Sequence, residues 1–213
     1  MKAIGGPGSA GITQPIMPTS NKMKPNTISM TSIYQRYVVM IDECKSFLRC
    51  IITDILKTRI LFVCLGNICR SPMAEGLFKH LLRTRHPELI NLFEVDSAGT
   101  AGYHIGDLPD HRMRATAVGH GFELTSKARK ITSADLDSYD YVIAMDRSNH
   151  GDIELLKRPP YKAKVMLMRE FDTGTEFDVP DPYYEGMDGF ENVFDILEKN
   201  LTAFIKHLQM NNV

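Results

Sequence analysis

"LFVCLGNICRSPMAEG", residues 61–76, sets two cysteines, a glycine, an asparagine and an arginine between an apolar run and an amphipathic one. The run at residues 60–63 is short and apolar without alternation, which is how a parallel strand buried on both faces reads. Beyond the loop, Met73, Leu77 and Leu81 recur at helical spacing, predicting a helix over residues 72–86. A short loop between a strand and a helix aims several backbone N–H groups at one spot, and the helix amino terminus adds to them. The product is an anion site. Gly66 permits a tight backbone path, and Asn67 tolerates the left-handed conformation such a cradle often needs. Pro72 suits the first helical position, where its missing N–H would have had no partner.

Cys64 lies at the base of this cradle and Arg70 at its far end. The guanidinium is a planar fork that takes two oxygens of one phosphate, which an ammonium cannot do. A thiol among N–H dipoles and beside a guanidinium gives up its proton readily, and the thiolate is the nucleophilic form. Ser71 can offer such a thiolate a hydroxyl hydrogen bond. Leu65, Gly66, Asn67, Ile68 and Cys69 supply the backbone between them.

A thiolate that cleaves a phosphate ester needs a group to protonate the leaving oxygen. The stretch 172–189 offers Asp172, Glu176, Asp178, Asp181, Glu185 and Asp188. Of the six, Asp181 is the best placed, because Pro180 and Pro182 hold it in "VPDPYYEG" and Tyr183 and Tyr184 can wall an aromatic pocket beside it.

Further strands are expected at 93–98, 141–145 and 164–168, and further helices at 110–120, 148–156 and from about Phe190 onward. Alternation of this kind implies an α/β domain over residues 58–213. Its sheet is four-stranded and parallel, with helices on both faces and the active site at the carboxyl ends of the strands. Residues 1–57 read as an N-terminal extension: 1–32 as disordered, 33–58 as a possible amphipathic helix.

Charge divides in the same way. Residues 1–57 hold seven Lys/Arg against three Asp/Glu, the remainder 18 against 23. A mildly acidic body argues against nucleic-acid binding. All four cysteines fall between Cys44 and Cys69, so this is no disulfide framework, and a reducing, cytoplasmic setting is expected. No apolar run reaches the roughly 20 residues that span a bilayer. The seven histidines are scattered without metal-ligand spacing, so neither metal nor cofactor is expected.

"VCLGNICRSPMAE" and "DPYY", in this order and context, resemble the low-molecular-weight protein tyrosine phosphatase family over about residues 59–208. The resemblance implies the phosphotyrosine phosphatase I-like fold and metal-free hydrolysis of phosphotyrosine-containing protein substrates by a monomer or weak dimer. It makes Cys64 the nucleophile, Arg70 the phosphate ligand and Asp181 first acid, then base. "AMDRSN" would bring Asp146 to brace the phosphate loop, whose shape Asn67 would hold. Cys69 would lie near enough to pair with Cys64 under oxidation. "SAGTAGYHIGDLPD" would put Tyr103 on the pocket wall with Tyr183, and Tyr184 would correspond to a phosphorylation target of some relatives. Ser126 stands where many members carry histidine.

Protein arginine phosphatases share the loop but typically carry threonine at the place of Ile68, whose apolar bulk favours a phenol over a guanidinium. Thiol-coupled arsenate reductases pass oxidation to later cysteines, and none follows Cys69 here. A noncatalytic phosphate-binding module on this scaffold would have no need of Cys64, Arg70 and Asp181 together.

Overall fold

The strand expected at residues 60–63 is the middle of β1, Thr58–Cys64, in a computed structural model that describes residues 57–171 and 174–212. The chain continues through α1 (Arg70–Arg85), a 3₁₀ turn at Pro87–Leu92, β2 (Phe93–Gly99), α2 (His111–Gly119), α3 (Ser133–Ser138) and β3 (Tyr141–Ala144). Then come α4 (Arg147–Glu154), β4 (Lys164–Leu167), a second 3₁₀ turn at Met168–Phe171 and α5 (Met187–Asn212). The helix expected over residues 33–58 lies outside the described residues except at its end, where Thr58 opens β1.

All strands are parallel, in the order β2-β1-β3-β4. Their register brings Cys64 opposite Gly99 and Val63 opposite Ala144, so the carboxyl ends of β1, β2 and β3 meet where the loop begins. Side chains alternate across the sheet. Ile60, Phe62 and Cys64 face a core shared with α1, α2 and α5, while Leu61 and Val63 face a second core with Leu136 of α3 and Ile153 of α4. Burial on both sides explains why β1 reads as an unbroken apolar run.

Phe78 fixes the pitch of α1. Its ring lies 5.9 Å from Phe62, 5.7 Å from Phe93 and 6.1 Å from Phe204, tying the helix to β1, β2 and α5 at once. Each such pair adds about 0.5–1.5 kcal/mol beyond its area burial. The opposite end of α1 is thereby held under the phosphate-type loop.

Three differences from the expected elements have local causes. Helix α1 begins at Arg70, and its first ladder bond runs from the Met73 N–H to the Cys69 carbonyl. Pro72 is thus the third helical residue rather than the first, still within the turn whose N–H groups have no intrahelical acceptor. Helix α3 was not expected. Six residues are too few to show a period, but a reciprocal capping box between Thr132 and Asp135 nucleates it. Helix α5 starts three residues before Phe190, and Phe190, Val193, Leu197, Leu201, Phe204 and Leu208 form its buried stripe. Among the described residues no helix is long and apolar enough to cross a membrane.

Candidate active site

The loop from Cys64 to Arg70 turns on Asn67. Its φ of 57° makes it the one non-glycine residue with positive φ among those described, and its side chain holds it there. The Asn67 amide nitrogen donates to Ser71 Oγ and Ser97 Oγ, both at 2.9 Å, while its carbonyl oxygen accepts the Arg129 N–H at 2.9 Å. Its backbone N–H points at Cys64 Sγ, 3.3 Å away. Gly66 does not use positive φ. It is small because the His104 ring lies over it, 3.2 Å from where a Cβ would stand.

Beneath the loop, Ser71 Oγ sits 3.1 Å from Cys64 Sγ and 3.2 Å from the Ala98 carbonyl. One hydroxyl proton serves two acceptors. Beside a neutral thiol it goes to the carbonyl; beside a thiolate it can swing to sulfur, the charge-assisted choice. The polar chain runs on, with Ser97 Oγ donating to Glu75 Oε2 at 2.7 Å and Lys79 Nζ donating to Glu75 Oε1 at 2.6 Å. Glu75 is a buried carboxylate with both oxygens engaged.

Arg70, almost wholly buried, bridges the loop to two aspartates. Nη1 donates to Asp146 Oδ2 at 2.5 Å and to the Val179 carbonyl at 3.1 Å, and Nη2 donates to Asp181 Oδ2 at 2.7 Å. Burial pulls the Arg70 pKa down, but Cys64, Asp181 and Asp146 outweigh it, so the net shift is upward and the guanidinium stays charged. Asp146 is also the N-cap of α4, accepting the Asn149 N–H at 2.6 Å.

The remaining carboxylates of the acidic loop are sorted by position. Asp172 lies outside the described residues. Asp178 is paired with Arg147 at 2.7 Å and Glu176 with Arg169 at 2.7 Å, whereas Asp181 lines a cavity of about 300 Å³ with Cys64, Leu65, Gly66, Ile68, Cys69, Arg70, Tyr103, His104, Tyr183 and Tyr184. Glu185 and Asp188 do not line it. Asn67, Ser71 and Asp146 do not line it either; they hold the loop from behind. Burial, and after it Asp110, push the Cys69 thiol well above the usual thiol range, so Cys69 is neutral.

A family model described as "Low molecular weight phosphotyrosine protein phosphatase" matches residues 59–213. The chain belongs to this family. It is 40% identical over 154 residues to the low molecular weight phosphotyrosine protein phosphatase of Saccharomyces cerevisiae, covering 70% of this chain and 92% of that one. A crystal structure of a protein tyrosine phosphatase from Entamoeba histolytica, with Hepes in its active site, superposes with a TM-score of 0.69 at 39% identity, covering 74% of this chain and all of that one. A Drosophila arginine phosphatase superposes with a TM-score of 0.67 at 31% identity, covering 71% and 98%.

Several residues of this low molecular weight phosphatase site escape a reading of the sequence. Gly99 is one: a Cβ there would stand 2.7 Å from the Leu65 carbonyl and 3.1 Å from the Asn67 N–H nitrogen, so β2 can approach the loop only as glycine. Arg112 is another. It pairs with Asp110 at 2.9 Å, reaches the Tyr183 carbonyl at 3.0 Å and lies over the Phe190 ring. Asp110 in turn donates its N–H to the Ile68 carbonyl, so this pair straps the Asp181 loop to the phosphate-type loop. The only sequence sign of Asp110 is its place ahead of an amphipathic run, as an N-cap.

Proposed function

We propose that this chain hydrolyses phosphotyrosine in protein substrates, and simple aryl phosphates, through a phosphocysteine intermediate, with residues 58–213 as the catalytic domain. One observation carries the reading: a single cavity has Cys64, Arg70 and Asp181 in its lining, with Tyr103 and Tyr183 to flank an aromatic ring. Its size suits a phosphotyrosyl side chain. A reducing, cytoplasmic setting follows for an enzyme whose nucleophile is a thiol.

In the first step the Cys64 thiolate attacks phosphorus, the S–P bond forms and the P–O bond to the phenol breaks. The phosphate displaces Asp181 from Nη2 of Arg70, while Asp146 and the Val179 carbonyl keep Nη1 and so hold the fork in place. The released Asp181 carboxylate takes up a proton brought by the incoming phosphate monoester monoanion or by water, and gives it to the departing phenolate oxygen. In the second step Asp181 takes a proton from water, the water oxygen attacks phosphorus, and the S–P bond breaks to regenerate the thiolate and free phosphate. Negative charge that builds on the equatorial oxygens meets Arg70 and the N–H groups from Leu65 to Arg70. The Ser71 hydroxyl steadies the thiolate whenever it is the leaving group.

Phosphoarginine is the second reading, supported by the likeness to an arginine phosphatase. Ile68 lines the cavity, and its apolar bulk favours a flat phenol over a guanidinium. Rapid-mixing hydrolysis of p-nitrophenyl phosphate tests the proposal. Native enzyme is expected to release a burst of phenol, Cys64→Ser none, and Asp181→Ala to turn over about 10²–10⁴-fold more slowly. Phosphoarginine turned over faster than phosphotyrosine by the native chain would replace the tyrosine reading.

A further inference from the structure

We propose that a second groove, beside the catalytic cavity, receives an aliphatic side chain of the substrate polypeptide two residues from the phosphotyrosine. This rests on the phosphatase reading above and adds the class of sequence the enzyme prefers.

The groove, about 500 Å³, runs from the loop after β2 to the end of α4. Leu65 and Tyr103 form its near wall and also line the catalytic cavity, so the two depressions share a ridge. Leu155 and Leu156 form the far wall together with Asp152 of α4, and Lys130 lies against Gly102 on the other side, so the groove carries one anion and one cation. Its apolar groups are unusually open: Leu155 is 85% exposed, Tyr103 82% and Leu65 45%. Grouped exposed apolar side chains mark an interaction surface, where scattered ones do not.

Continuity decides the occupant. A phosphotyrosine seated over Cys64 must carry its own main chain across the mouth of the cavity, and the Leu65–Tyr103 ridge is one side of that mouth. In an extended chain the side chains at i and i±2 point the same way, about 6.6 Å apart. A residue two places from the phosphotyrosine therefore turns toward the enzyme just beyond the ridge. Leucine walls favour an aliphatic group there. A charged one would lose water against them, and with Lys130 and Asp152 opposing each other neither sign gains a clear partner.

The test uses the native full-length chain and alanine-based phosphotyrosyl peptides carrying a single leucine at each position from −3 to +3. Leucine at either +2 or −2 is expected to raise kcat/KM roughly threefold to tenfold over the alanine peptide, the range for partly burying one leucine. Leu155→Ser, a change at an exposed position outside the catalytic cavity, is expected to remove that gain. It should leave p-nitrophenyl phosphate and the alanine peptide unchanged. A flat leucine scan, a gain that survives Leu155→Ser, or an aspartate peptide that outperforms leucine overturns the docking proposal while the phosphatase reading stands. Rates per enzyme that vary with enzyme concentration point to a second copy in the groove and also overturn it. Failure of the native chain to hydrolyse any of these compounds overturns both.

Discussion

Asn67 offers the sharpest test of how the phosphate-type loop is built, because its conformation and its hydrogen bonds can be removed separately. Asn67→Gly keeps the left-handed backbone at no steric cost but deletes the side chain. Ser71 and Ser97 each lose one hydrogen bond and retain others, at roughly 0.5–1.5 kcal/mol apiece. The Arg129 N–H loses the Asn67 carbonyl oxygen, and an orphaned donor in a part-buried place costs about 1–3 kcal/mol. The expected loss is therefore about 4 kcal/mol. Asn67→Ala loses the same bonds and adds the left-handed penalty of a Cβ, about 1 kcal/mol more. Urea unfolding measures both. With a slope of about 2 kcal/mol/M, Asn67→Gly lowers the midpoint by about 2 M and Asn67→Ala by about 2.5 M. Hydrolysis of p-nitrophenyl phosphate should fall by about 10²-fold in both, since a loop displaced by an ångström no longer aims its N–H groups. The reasoning fails if alanine and glycine unfold together, or if either stays within about 0.5 kcal/mol of the parent.

Gly99→Ala pushes a methyl group into the Leu65 carbonyl and the Asn67 backbone, neither of which can yield cheaply; a fall in thermal midpoint together with a diminished phenol burst is expected, and an unchanged burst would show that β2 does not support the loop. The pair Asp110–Arg112 predicts a pH effect. The Arg112 guanidinium holds the Asp110 carboxyl below its ordinary range, with burial opposing in part. A depressed folded-state pKa gives stability that is present above the unfolded value of about 3.9 and is lost as pH falls through the folded one. Asp110→Asn should thus lie below native in thermal midpoint at pH 6 and approach it below about pH 4. A gap that stays constant across that range removes the ion pair from the account.

The middle of the sheet was legible because β1 and β3 are buried on both faces and write apolar runs into the chain: residues 60–63 and 141–145 could hardly be anything else. The long stripe from Phe190 to Leu208 was legible for the matching helical reason. Helix α3 escaped because six residues hold no period, although its T-S-A-D box was in plain view. The loop residues that line the cavity between Cys64 and Arg70 were legible because all of them, Asn67 alone missing, come from one short stretch, and Asp181 because two prolines single it out. The framework around them was not. Ser97 acts through Asn67, 30 residues away, Arg129 through Asn67, 62 away, and Arg112 through Tyr183, 71 away. Each is an ordinary serine or arginine until the register of β1 against β2 and the packing of α2 bring it to the loop.

This division has a physical reason. Residues that touch a phosphate must sit on consecutive N–H groups and at the end of one strand, so the chemistry itself forces them to be close in sequence. Residues that hold those groups in place are under no such constraint. Their need is for burial and for a second anchor on another element: Asn67 is tied to α1 through Ser71, to β2 through Ser97 and to the segment before α3 through Arg129. A left-handed asparagine fixed from three directions leaves the loop little freedom to relax when the cavity is empty. The Asn67 N–H stays aimed at Cys64, and in the proposed reaction a loop held in this way need not reorganise in each turnover. Arg70 is the exception, since one arm of its fork rests on Asp181. In the proposed reaction, the contact that a phosphate must break to reach Arg70 is thus the contact that frees Asp181.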